Sequence, residues 1–249
     1  MVRSKVKFLD ITAKEWWLSW LQMQFASPIF QAPLVTLALG VYNPAVCFET
    51  KNRRKFMGPH IVVIGGSVRP QNYTWMALSL VAEELVTQKK MDFEVIDPRE
   101  LNLAKPGLES NPQMEALRKT VSEATGVILA TPEYHGSVSS VMKQVIENLG
   151  FPSVLAGKPV ALLGVAAGQI GAIKSLEQLR SICSHIGAIV IPYTVSVANV
   201  QKVFDAHGKC QDAGIEKRIR GVAKALMDYI EHNICPRVAL EQMVRENAH

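Results

Sequence analysis

Cysteine is scarce in this chain, and closely spaced cysteine pairs are missing altogether. The four present, Cys47, Cys183, Cys210 and Cys235, lie far apart with no C-x-x-C spacing, which argues against a zinc ribbon and a thioredoxin-like redox pair. Reduced thiols of a cytosolic protein are the expectation, and no metal site is expected. Two common phosphate-binding signatures are also lacking. The glycines after the first apolar run do not have the spacing of the dinucleotide fingerprint, and no Gly-Lys-Ser/Thr follows them, which removes a P-loop. No Ser or Cys sits in a nucleophile elbow, so no catalytic side chain of that kind is expected.

Most of the chain also lacks an excess of charge of either sign. The net charge is +5 and the isoelectric point near 9.0, but residues 1–58 hold eight Lys/Arg against three acids and so carry all of it. The remainder is balanced, which argues against a nucleic-acid footprint there. From residue 16 to residue 48 there is no charged side chain, yet Pro28, Pro33 and Pro44 interrupt the run and no period of 3.6 or 2 is sustained. Residues 1–58 are therefore expected to be an extension outside the core. Three readings stand side by side for them: a poor membrane span, an amphipathic or organelle-targeting leader, or a stretch preceding a natural start at Met57. No firm membrane association follows from any of them.

Regular patterning begins at His60. Ile61–Ile64 reads as a short buried strand, and Leu78, Val81, Ala82 and Leu85 follow at helical spacing. Further strands are expected at Phe93–Ile96, Gly126–Ala130, Lys158–Ala166 and Gly187–Tyr193. Between and after them, apolar stripes predict helices through Met114–Ala124, Val138–Leu149, Leu176–Ile186 and Ile219–Ile230. Near-continuous apolar strands alternating with helices imply an α/β fold with a parallel sheet covered on both faces, an open doubly wound arrangement. Ligands in such sheets bind beyond the carboxyl ends of the strands, where strand order reverses. The expected division is an extension over 1–58, a domain over 59–235 and a tail over 236–249.

The first strand ends in "GGSVRPQNYT". Gly65 and Gly66 permit a tight turn and close backbone approach, Ser67 and Thr74 offer hydroxyls, Asn72 an amide and Arg69 a planar cation, with Tyr73 opening the helix. Such a set at a helix N-terminus suits a phosphate monoester; an ordinary turn with Asn72 as N-cap is the plainer alternative. After the third strand comes "TPEYHGSVSSVMKQ". Pro132 stiffens the strand exit, Tyr134 offers a flat face, Gly136 admits close backbone approach and Ser137 is a candidate N-cap for the helix that follows. Glu133 reads as a loop-holding carboxylate or a group reaching across a dimer contact, and His135 as a solvent-facing residue. After the fourth strand, Ala166, Ala167 and Gly168 leave room for a flat ring, and Gly168 and Gly171 let the backbone come close before the helix that follows.

Together "GSVRPQNYT" and "TPEYHGSVSSVMKQVIE" resemble the NADPH-dependent FMN reductases of the flavodoxin-like group, which include azo, quinone and chromate reductases. The resemblance covers about 175 residues, His60 to about Ile234. It implies a five-stranded sheet of order 2-1-3-4-5. It also implies FMN phosphate against Ser67, Arg69, Asn72 and Thr74, and the ribityl chain and ring edge against Pro132, Glu133, Tyr134, His135, Gly136 and Ser137, with Gly168 beside the flavin. The implied activity is hydride transfer from NADPH by way of FMN to a small acceptor, with alternate occupancy and ping-pong kinetics. A homodimer or homotetramer is implied as well, with Lys143 and Glu147 toward a partner. A flavodoxin-like electron carrier is the second reading, disfavoured by the neutral domain and by Arg69 in the loop. A domain that has lost its flavin is the third.

Overall fold

The computed structural model describes residues 58–87, 91–105, 110–238 and 241. The expectations for residues 1–57, including Cys47, lie outside the described residues, as does most of the tail after Val238. The chain runs through β1 (His60–Gly65), α1 (Tyr73–Val86), β2 (Asp92–Ile96), α2 (Pro112–Glu123), β3 (Gly126–Tyr134) and the two-residue β4 (Ser137–Val138). It continues with α3 (Ser140–Asn148), β5 (Pro159–Val165), α4 (Ile173–His185), β6 (Ile189–Val197), α5 (Val200–Val203) and α6 (Ala213–Tyr229).

The main sheet has the order β2-β1-β3-β5-β6 with every pair parallel, and β4 pairs antiparallel with the end of β3. This is the expected flavodoxin-like order; only the numbering shifts, because β4 intervenes. The all-apolar strands are explained by burial on both faces. Ile61, Val63, Ile128, Ala161 and Leu163 pack with α1 and α6 on one side. Val62, Ile64, Val127, Leu129, Val160 and Leu162 pack with α2, α3 and α4 on the other. Each such Val, Leu or Ile side chain contributes roughly 1.5–3 kcal/mol on leaving water, so both faces are filled by apolar residues and the strands lose alternation.

Two expectations are corrected. The last strand does not end at Tyr193 but runs to Val197, and its pairing with β5 jumps from Val160↔Val190 to Leu162↔Thr194. Pro192 stands inside that irregularity; it has no N–H to give the ladder, and β6 at the sheet edge accommodates it as a bulge. The second correction concerns the strongest apolar stripe. Met142, Val145, Ile146 and Leu149 are buried as expected, but Val138 belongs to β4 and α3 begins two residues later.

Candidate functional site

The loop after β1 is held nearly atom by atom. Gly66 N–H donates to Ala130 O at 2.7 Å, and a Cβ on Gly66 would sit 2.9 Å from that oxygen and 3.0 Å from Met142 Cβ, so only glycine fits between β3 and α3. Trp75 Nε1 donates to the Ser67 carbonyl at 3.0 Å. Asn72 is the N-cap of α1: its Oδ1 accepts from Trp75 N at 3.1 Å and its Nδ2 donates to Arg69 O. Thr74 is buried in the first turn of that helix. One polar atom in this loop is left over. Ser67 is 1% exposed and its Oγ has no hydrogen-bond partner, alone among the buried side-chain polar atoms of the described residues. A buried hydroxyl without a partner costs about 1–3 kcal/mol, and natural structures tolerate one where a ligand completes it.

The segment after β3 is a hairpin. Glu133 pairs with Val138 and Tyr134 with Ser137 across a two-residue turn. His135 and Gly136 have φ of 51° and 72°, the positive values that a type I′ turn requires at both central positions. His135 is exposed, as expected of a solvent-facing residue. Glu133 holds structure as a carboxylate should: its Oε2 accepts from Ser175 N at 3.0 Å, at the start of α4, where Ala172 supplies no side-chain cap. Ser137 is not the cap of α3. Its Oγ donates to Gln178 Oε1 at 2.7 Å, which docks the hairpin on α4, and the capping acceptor is Ser139 Oγ, 3.1 Å from Met142 N. The reason is geometric: with Ser137 committed to β4 pairing, the helix can open only after residue 139.

Loop one and the hairpin converge on a cleft of about 470 Å³ lined by Arg69, Tyr134, His135, Val138 and Ser140. The Arg69 guanidinium lies 5.9 Å from the centroid of the Tyr134 ring, a cation–π distance. Tyr73 turns the other way, its ring stacked on Phe204 at 6.5 Å. Gly168 follows β5 in an exposed turn; its carbonyl accepts from Gly171 N and Asn199 N, and a Cβ there would meet nothing within 4 Å. Open space, not a close backbone approach, is what this glycine provides. Trp75, Thr131, Ser139 and Ser140 were not singled out by the sequence. Only the serine run "SVSS" hinted at the last two, and it does not say which serine caps. Among the described residues no cluster of metal-ligating side chains occurs. The buried thiols are unreactive core groups: burial pushes Cys183 up to about 12 against the lowering influence of Arg180, and burial raises Cys210 as well.

An open, doubly wound α/β protein with a glycine-tight loop and a facing hairpin at the carboxyl ends of β1 and β3 belongs to the flavodoxin-like class of folds. Residues 59–202 match the NADPH-dependent FMN reductase family, and the chain belongs to it. It is similar to the NADPH-dependent FMN reductase ArsH of Rhizobium meliloti, with 27% identity over 175 residues, 69% of this chain and 72% of that protein. It is similar also to an NADPH azoreductase of a Bacillus species, with 35% identity over 138 residues, 54% of this chain and 74% of that one. Among solved structures, the flavoenzyme NAD(P)H:(acceptor) oxidoreductase FerB of Paracoccus denitrificans shares the fold at a TM-score of 0.58 and 22% identity, over 70% of this chain and 97% of that one. The chain is an NAD(P)H-dependent flavin oxidoreductase, of a family that uses FMN and NAD(P)H.

Proposed function

We propose that the cleft holds FMN, with Ser67, Arg69 and Thr74 taking the phosphate and Pro132–Ser137 the ribityl chain and ring edge. The observation that carries this reading is the buried, unpartnered Ser67 hydroxyl in the loop that leads from β1 into α1, a helix start whose N–H groups favour an anion. The Gly66 squeeze supports it, because it fixes the backbone of the loop between β3 and α3. Asn72 acts through the backbone it holds at the helix start, Tyr73 packs that turn against Phe204, and Gly168 leaves space at the open side. Arg69 places a fixed positive charge at the rim, and Tyr134 beneath it offers a flat apolar face that excludes water. Bound FMN supplies the hydride relay between nicotinamide and acceptor, so the protein's contribution is position and electrostatics, and no side chain serves as acid or base.

The acceptor is a small molecule. Relatives are named for azo compounds and for quinones, and a quinone or azo compound fits a slot walled by Tyr134 and Val138; a metal oxyanion or free flavin would find the Arg69 charge favourable. NADPH is the proposed donor, from the family assignment. No described helix is long and apolar enough to cross a membrane; a cytoplasmic location is proposed from the wide spacing of the cysteines, of which Cys183, Cys210 and Cys235 are free thiols. A homodimer or homotetramer is supported by Phe151, 96% exposed just beyond α3; Lys143 and Glu147 on that helix pair with each other. The FMN-binding unit is taken to be residues 59–235.

Visible spectroscopy of the purified full chain loaded with FMN tests the proposal. Flavin bands that bleach on adding NADPH and return on adding a quinone are expected. A chain that stays colourless with FMN would overturn it, and bound flavin that NADPH does not bleach would leave an electron carrier.

A further inference from the structure

Ser139 stands where the two loops of the cleft meet, and it is 2% exposed. Its hydroxyl works in both directions. As acceptor it caps α3, 3.1 Å from Met142 N; as donor it reaches across to the carbonyl of Gly66 at 2.5 Å. Its backbone N–H is held separately, by Thr131 Oγ1 at 3.2 Å. The Gly66 residue is therefore gripped at both polar ends, its N–H by Ala130 O and its C=O by Ser139 Oγ. The next carbonyl, that of Ser67, is held by Trp75. With the peptide between Gly66 and Ser67 fixed on both sides, the Ser67 Cα–Cβ bond has one direction, and its hydroxyl is the atom left without a partner.

We propose that Ser139 is a positioning residue for the phosphate loop: it never touches the ligand, but by holding the Gly66 carbonyl it aims the Ser67 hydroxyl and so makes flavin affinity depend on the phosphate. The inference rests on the FMN reading above. A preorganised donor binds an anion without first being ordered, and the gain appears as affinity. Without the Ser139 hydroxyl, a buried carbonyl loses its partner, and the peptide rotates or shifts to find another. Ring-side contacts come from the hairpin, which is anchored through Glu133, Ser137 and the Ser139 N–H, none of which needs that hydroxyl. Loss of the hydroxyl is thus selective for ligands that carry a phosphate.

The experiment compares FMN with riboflavin, which has the same ring and no phosphate, by titrating the full chain and following flavin fluorescence. In Ser139→Ala the Kd for FMN is expected to rise about tenfold, the effect of about one buried hydrogen bond, with the Kd for riboflavin unchanged. Ser139→Thr, which keeps the hydroxyl, restores the FMN value. If Ser139→Ala does not fold, Ser139→Cys preserves shape with a weak donor, and the same selective loss is expected. Equal weakening of both ligands, or of neither, overturns the proposal. Ser67→Ala separates it from the reading beneath. If that change lowers the FMN preference and Ser139→Ala does not, the positioning role is wrong and the phosphate site stands. If neither change lowers it, the phosphate site is wrong and the positioning role falls with it.

Discussion

Ser67 is held in a state that suits a ligand better than it suits the empty chain. Its hydroxyl is out of water and unpaired, so Ser67→Ala removes a desolvated group and should stabilise the flavin-free protein by about 1 kcal/mol or more, within the roughly 1–3 kcal/mol that an unsatisfied buried polar group costs. The same change should weaken FMN binding. Urea unfolding of the flavin-free variant checks the first effect; a midpoint below that of the parent would show that the hydroxyl has a partner within the fold. The glycine turn and the Asn72 cap of this loop were legible in the sequence, because a buried strand that breaks into two glycines before an Asn at a helix start spells out both. The orphaning of one hydroxyl was not legible, since it depends on where Trp75 and Ser139 send their own hydrogen bonds.

α4 begins without a cap of its own, because Ala172 has no side-chain acceptor. Glu133, forty-two residues earlier in the chain, supplies the missing acceptor to Ser175 N. Glu133→Ala should lower stability by about 1 kcal/mol, the usual worth of an N-cap, and the melting temperature by roughly 2–4 °C for a chain of this size. Glu133→Gln, which keeps an acceptor oxygen, should melt close to the parent. Calorimetry of the three proteins tests this, and equal melting of the alanine variant would show that the bond contributes nothing. The five strands of the main sheet and the five longer helices followed from apolar periodicity, whereas β4 and α5 did not. Nor did the joins: Ser137 and Ser139 are equivalent as local capping candidates, and β4 pairing alone chooses between them. The strand expected to close at Tyr193 likewise runs on to Val197, because Pro192 at a sheet edge costs only a bulge.

The described fold closes its core on both faces of one sheet, and its motifs all fall between β1 and α4. A chain beginning at Met57 should therefore bind FMN with the same Kd as the full chain, which fluorescence titration of the two would establish; a large loss would give residues 1–56 a part in the site. The amino-acid order dictated the succession of the main strands and helices and the parallel sheet, because burial on both faces and helix amphipathicity each demand residue types that neighbours in sequence display. What the folded chain alone could settle were the pairings between distant residues. Glu133 meets Ser175, Ser139 meets Gly66, and Ser67 is left with a hydroxyl to offer. Such bonds join segments whose proximity arises from sheet order, and no local pattern encodes the direction in which a buried hydroxyl must point.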